Sequence, residues 1–248
     1  QNDIRYLQDS ICKYDKYDYA IIECLLPGGT EIEFPDYTNF DGLRAWPVVE
    51  IKNTAFQNIR FTGDFVMNNL EVANDYEFQS SIFTGNFEGE KINHVGYYAF
   101  YNSNFSGELD LPNCKFIGLR ALRYSKFSGS LSLPVCTVIG DYALQYSQFS
   151  GSLNLPMCTK IGSYAFGNSV FSGSLSLPVC EQIGINTFRL SKFSGSLSLP
   201  VCEQIGYEAF YYSNFDEITI GANANLGTNC IGAHSTEFIN DYTANNKL

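Results

Sequence analysis

FSGSLSLPVCEQIG occupies residues 171–184, and the same fourteen letters return at residues 193–206, 22 residues on. Such a duplication decides the fold only if its spacing survives where the letters change. It does. The glycine of the IG pair falls at Gly96, Gly118, Gly140, Gly162, Gly184 and Gly206, each step being 22. A second glycine keeps that step from Gly63 through Gly85, Gly107, Gly129, Gly151 and Gly173 to Gly195. A fixed period of this length marks a repeat architecture, in which one unit cannot bury its own apolar face and stacked units can.

The unit can be written from Ile139 as IGDYALQYSQFSGSLNLPMCTK, and its residues numbered as slots 1 to 22. Slots 1, 5, 6, 11, 15, 17 and 20 are apolar, here Ile139, Ala143, Leu144, Phe149, Leu153, Leu155 and Cys158. In the most divergent copy they hold Ile51, Ala55, Phe56, Phe61, Phe65, Met67 and Leu70. Burying each large side chain contributes roughly 1.5–3 kcal/mol, so a column of copies builds a long core without disulfides. The alternation in GSLSLP predicts a short strand with one buried face. Pro112, Pro134, Pro156, Pro178 and Pro200 end it, because proline has no N–H for the ladder. The glycine before it allows a tight corner. Segments such as YALQYS and YAFYNS predict one turn of 3₁₀ or α helix. The expected fold is a solenoid of about eight 22-residue coils with a parallel strand ladder and short helical turns. It spans residues 49–220, between an N-terminal cap over 1–48 and a C-terminal cap or tail over 221–248. Within the first cap, residues 31–48 read as a decayed coil that Trp46 would close.

Composition narrows the function. The net charge is −11, and no basic run exists, which argues against nucleic acid or an anionic membrane as partner. The apolar run YAIIECLL over residues 19–26 is far too short to span a bilayer. The chain opens on Gln, and we expect an exported product from which a signal peptide has been removed.

Five of the eight cysteines, Cys114, Cys136, Cys158, Cys180 and Cys202, share slot 20. Parallel side chains in such a column lack the geometry of a disulfide, and the reading is buried free thiols acting as small hydrophobes. Cys12 and Cys24 could pair within the N-terminal cap, and Cys230 has no evident partner. Zinc is not expected, because there is no CxxC spacing. The two histidines, His94 and His234, read as solvated, with no nucleophile motif beside them. Glu108 and Asp110 lie two residues apart on one strand face, but an exposed pair has no burial to tune it for catalysis. Asn104-Phe105-Ser106 is a formal glycosylation sequon that arises wherever slot 10 is Asn. No cofactor and no catalytic residue is expected.

The remaining candidates lie on the surface. Slots 14 and 16 flank the buried leucines and point outward. They give Glu108 and Asp110, Ser130 and Ser132, Ser152 and Asn154, Ser174 and Ser176, and Ser196 and Ser198. This strip is either a ligand-binding strand face or small polar filler on a crowded sheet. Tyrosines at slots 4, 7, 8 and neighbouring positions form a second feature: Tyr97, Tyr98, Tyr101, Tyr124, Tyr142, Tyr146, Tyr164, Tyr207, Tyr211 and Tyr212. They suit protein or sugar recognition, or packing between coils.

Leu131-Ser132-Leu133-Pro134-Val135-Cys136 resembles the strand core of a leucine-rich repeat. Followed by IGxYAF, it is similar to the BspA-like class of leucine-rich repeats found in bacterial surface proteins and some protists. The resemblance covers residues 49–220. The array departs from that class in its 22-residue period and in carrying Ser103, Ser125 and Ser147 where the class often has Cys. What the resemblance implies is a leucine-rich-repeat solenoid, secretion or surface display, and adhesion to host proteins or other cells. The expected function is therefore a non-enzymatic, monomeric scaffold that binds an extracellular protein or glycan. The rival is a structural spacer that holds another module away from the cell surface.

Overall fold

Stacked at the 22-residue step, the coils of the computed structural model pair strand upon strand along one continuous ladder. It describes residues 69–231 apart from Ser106, residues 56–58 and 65–67, and the backbone of the strands upstream. The ladder runs in order through Val72–Ala73, His94–Val95, Phe116–Ile117, Val138–Ile139, Lys160–Ile161, Gln182–Ile183, Gln204–Ile205 and Asn225–Leu226, every pair parallel. These are slots 22 and 1, immediately before the IG glycine. The final step is 21 residues, and the ladder continues past residue 220.

The strand expected over GSLSLP forms, but in pieces. Leu131–Ser132 pairs with Leu153–Asn154, and Leu175–Ser176 pairs with Ser196–Leu199, which in turn pairs with Glu217–Ile220. Upstream, Tyr37–Asn39, Asp64–Val66, Phe87–Glu88 and Leu109–Asp110 form a separate sheet. The sheets are interrupted after Asp110 and after Asn154. Each interruption falls where a slot-13 glycine of ordinary φ, Gly107 or Gly151, is followed one coil on by Gly129 at φ 75° or Gly173 at φ 80°.

The helical turn expected over slots 4 to 8 is absent, and among the described residues there is no helix. Backbone donors alternate instead between the coil itself and the next one. Ala143, Gln145 and Ser147 donate back three residues, to Gly140, Tyr142 and Leu144. Tyr142, Leu144 and Tyr146 donate across, to Ser163, Ala165 and Gly167, at 2.8–3.0 Å. That alternation requires a left-handed residue at every slot 4 and slot 8. Among the described residues, all sixteen non-glycine residues with positive φ fall there, from Asn58 to Asn229, at φ between 50° and 62°. A non-glycine residue in that conformation is costly, and the cross-coil hydrogen bonds hold it in place.

The interior is two aromatic columns. Slot 11 stacks Phe83, Phe105, Phe127, Phe149, Phe171, Phe193 and Phe215 with ring centroids 4.0–5.6 Å apart. Slot 6 stacks Phe78 on Phe100 at 4.9 Å and Phe166 on Phe188 on Phe210 at 5.3 and 5.5 Å. The columns meet edge to face, as Phe100 and Phe105 do at 5.8 Å and 67°, the arrangement the ring quadrupole favours. The slot-2 glycines serve close approach: a Cβ on Gly140 would lie 2.8 Å from the Gly118 carbonyl carbon.

Upstream, Ala20–Glu23 pairs antiparallel with Cys12–Tyr14 and parallel with Val48–Lys52. The suggested Cys12–Cys24 pair, Trp46 and His234 lie outside the described side chains.

Candidate functional site

Two surfaces stand out, and they differ in how fully their polar groups are used. The strip of slots 14 and 16 is exposed at Glu108, Asp110, Ser130, Ser132, Ser152, Asn154, Ser174 and Ser176, and at Ser196, with Ser198 half-buried. Its slot-14 hydroxyls are engaged. Ser130 Oγ accepts the Ser152 backbone N–H at 3.1 Å, and Ser174 Oγ accepts that of Ser196 at 3.0 Å. Two coils before the first of these, Asn86 Oδ1 accepts the Glu108 N–H at 2.8 Å. Slot 3 repeats the device, with Asp75 and Asp141 accepting the Tyr97 and Ser163 N–H groups at 2.6 and 2.7 Å. A short polar side chain at these corners satisfies a donor that the interrupted ladder leaves over. Asn154 Nδ2 donates to Ser132 Oγ at 3.3 Å, which ties slot 16 in the same way.

The turn side, slots 3 to 10, is built differently. Its left-handed residues bring tyrosines of successive coils into register. Tyr76 stacks on Tyr98 at 4.9 Å, Tyr142 on Tyr164 at 4.9 Å, and Tyr124 on Tyr146 at 5.1 Å. Between the first two stacks sits Arg120, its guanidinium 5.4 Å from the Tyr98 ring and 5.1 Å from Tyr142, with Nη1 donating to the Tyr98 hydroxyl. That hydrogen bond raises the Arg120 pKa further, so its charge is permanent. Arg123 lies 4.7 Å from Tyr124 and 5.6 Å from Tyr142 and donates to the Tyr124 hydroxyl at 3.2 Å. Of the stacked tyrosines, Tyr76, Tyr124 and Tyr146 stay at least 36% accessible and Tyr98, Tyr142 and Tyr164 are half-buried, while Tyr97, Tyr207 and Tyr212 are exposed as well.

The residues missed in the sequence are Arg120, Arg123 and Lys126. The last coil adds Arg189, paired with Glu208 at 3.6 Å, and Lys192. In segments 98–104, 120–126, 142–148, 164–170 and 186–192 there are five cations and no carboxylate, although the chain carries 26 acids and only 15 basic residues. No carboxylate pairs with Arg120, Arg123 or Lys126 among the described residues. Only the solenoid frame shows that these three share one arc.

The slot-20 thiols are buried and free. Each donates weakly to the carbonyl two residues on, as Cys158 Sγ does to Lys160 at 3.4 Å. Burial pushes Cys114 and Cys158 up to about 12 and Cys202 up to about 11, and also raises Cys136, Cys180 and Cys230. Such thiols are inert at neutral pH. His94 does not stand free in solvent: its ring stacks on Phe116 at 4.5 Å. Asn104 is exposed. Among the described residues no group of three or more His, Cys, Asp or Glu could hold a metal, and no helix is long and apolar enough to cross a membrane.

Against this geometry, the model of the BspA type leucine rich repeat region matches in six copies, over residues 46–128 and 117–237. A crystal structure of a leucine rich cell surface protein from Faecalibacterium prausnitzii A2-165 superposes with a TM-score of 0.51 at 13% identity, covering 92% of this chain and 75% of that one. At that identity the likeness concerns the fold alone. No curated protein matches significantly. The matched repeats span most of the sequence and coincide with the stacked coils: the chain belongs to the BspA-type leucine-rich repeat family.

Proposed function

We propose that the chain is a non-enzymatic, exported recognition scaffold, displayed at a cell surface, that engages an extracellular partner through the turn side of the solenoid. Family membership and a cell-surface protein of similar fold support the location. The observation that carries the binding side is the tyrosine and arginine array. Its rings are exposed yet held by stacks of about 5 Å, so little side-chain entropy is lost when a partner docks. The slot-14 serines remain the competing surface, but their hydroxyls already serve the neighbouring coil.

The test is a titration against immobilised extracellular-matrix proteins and a glycan array at physiological salt, with two variants. Tyr146→Ser with Tyr212→Ser alters the turn side, and Ser152→Glu with Ser174→Glu and Ser196→Glu charges the strip. Saturable binding lost in the tyrosine variant and kept in the serine variant supports the proposal. The reverse pattern moves the site to the strip. Silence across both panels favours a spacer that presents another module.

A further inference from the structure

The proposed turn-side surface leaves the chemistry of its partner open, and the charge pattern narrows it. Arg120, Arg123 and Lys126 come from a single coil. Lys126 is exposed and the two arginines are half-buried, with their Nε atoms buried and unpartnered. Tyrosine faces and hydroxyls fix both guanidiniums, so they are arranged before any ligand arrives. Three coils on, Lys192 is exposed beside Arg189, which Glu208 already neutralises. At the 4.9–5.1 Å spacing of the stacked tyrosines the two clusters lie about 15 Å apart along the axis. The surface between them carries Tyr142, Tyr146, Gln148, Tyr164 and Asn168, all uncharged, with Asp141 at its slot-3 edge already accepting the Ser163 N–H.

We propose that this arc binds an acidic, extended segment of a partner protein, laid along the solenoid axis with its carboxylates on the two cationic clusters. This rests on the turn-side reading above. Charge complementarity selects the partner's sign: on a chain of net charge −11, slots 4 to 10 of the five coils over residues 98–192 carry five cations and no carboxylate, and the acids at their margin, Asp141 and Glu208, are already engaged by the Ser163 N–H and by Arg189. An extended chain advances about 3.3 Å per residue, so 15 Å corresponds to roughly four or five residues between carboxylates. The tyrosines favour peptide over sugar. Each stack covers one face of both its rings, and the two guanidiniums lie against Tyr98, Tyr124 and Tyr142, which leaves mostly ring edges and hydroxyls for hydrogen bonding and reduces the free face for a pyranose. The acidic segment would be repelled by the rest of the surface, which confines it to one site and one direction of approach.

The experiment is fluorescence anisotropy with the full chain and a labelled nine-residue peptide carrying two glutamates four residues apart in a Ser/Thr background. Its glutamine counterpart and a heparin oligosaccharide serve as controls. Saturable binding is expected for the glutamate peptide, weakening steeply with salt, and at least about tenfold weaker for the glutamine peptide. Lys126→Glu, at an exposed position that does not threaten folding, and Arg123→Gln should each weaken it about tenfold. Ser174→Glu should leave it unchanged. Absence of binding, indifference to Lys126→Glu, or preferential capture of heparin each overturns the proposal. If the peptide fails while a matrix protein still binds in a tyrosine-dependent way, only the acidic-peptide assignment falls. If both fail, the turn-side reading falls with it.

Discussion

Replacing Gly162 by alanine tests why the period is written in glycine. A Cβ there would stand 2.5 Å from the Asp141 backbone nitrogen and 2.6 Å from the Gly140 carbonyl carbon. Ordinary carbon contacts begin near 3.5 Å, so the overlap is about 1 Å. Those two atoms are backbone and cannot rotate away, and the third atom met, Asp141 Oδ1 at 2.5 Å, is held by the Ser163 N–H. The coils must therefore separate, straining the Gly162 N–H to Ile139 carbonyl bond at 2.8 Å and the Ser163 N–H to Asp141 bond at 2.7 Å. Overpacking costs about 1–3 kcal/mol and each weakened hydrogen bond about 1 kcal/mol, which together give about 3–5 kcal/mol. For a chain of this size a kcal/mol lowers the melting temperature by about 2–4 °C, so the expected drop is about 6–20 °C. Gly173→Ala is the matched control. Nothing lies within 4 Å of its Cβ, and only its φ of 80° is unfavourable, at about 1–2 kcal/mol. Thermal unfolding followed by circular dichroism compares them. If Gly173→Ala is as damaging as Gly162→Ala, the close approach at slot 2 costs no more than a strained φ and the close-approach explanation is wrong.

The buried thiol column makes stability depend on alkaline pH. Below about pH 8.5 the thiols are protonated folded or unfolded, and their contribution is fully present. Above it the unfolded chain releases protons that the folded chain keeps, so stability falls as pH rises toward the folded values of about 11–12. At pH 10 the loss is about 2 kcal/mol per thiol, and Cys158→Ala should remove that share of the slope in urea titrations. An unchanged slope would show that the column is not sealed. Ser130→Ala should cost only about 0.5–1.5 kcal/mol, by orphaning the Ser152 N–H, and should leave ligand binding intact. At Tyr146, with φ 58°, Val should be less stable than Asn by about 1 kcal/mol or more in chemical denaturation, because a β-branched residue resists the left-handed conformation. Equal stabilities would refute the cost assigned to the left-handed conformation at this slot.

The repeat, its period and its buried slots were legible because burial imposes the same demand on every coil. Phe149, Leu153, Leu155, Cys158 and Ile139 all lie inside, and the slot-20 cysteines are free and buried. The position of the long ladder was not legible. Val138–Ile139 is two residues long, too short for an alternation signal, and becomes a strand only by pairing with the coils on either side. Segments such as YALQYS resemble a helical turn for the same reason: their letters do not reveal that every second N–H leaves for the next coil. Of the candidate site, the outward serines and the tyrosine positions were readable from the frame. The cationic arc was not, since Arg120, Arg123 and Lys126 look like scattered surface charges in a line of text.

By itself, then, the sequence determined that this protein is a stack of 22-residue coils around an apolar column, because hydrophobic burial depends on which slots are apolar and hardly on what lies beside them. Only the tertiary structure decided where the backbone pairs, why residues other than glycine take the left-handed conformation, and which charges meet the tyrosines. Those outcomes depend on hydrogen bonds and ring contacts between residues about 22 positions apart, and they exist only once one coil has settled on another.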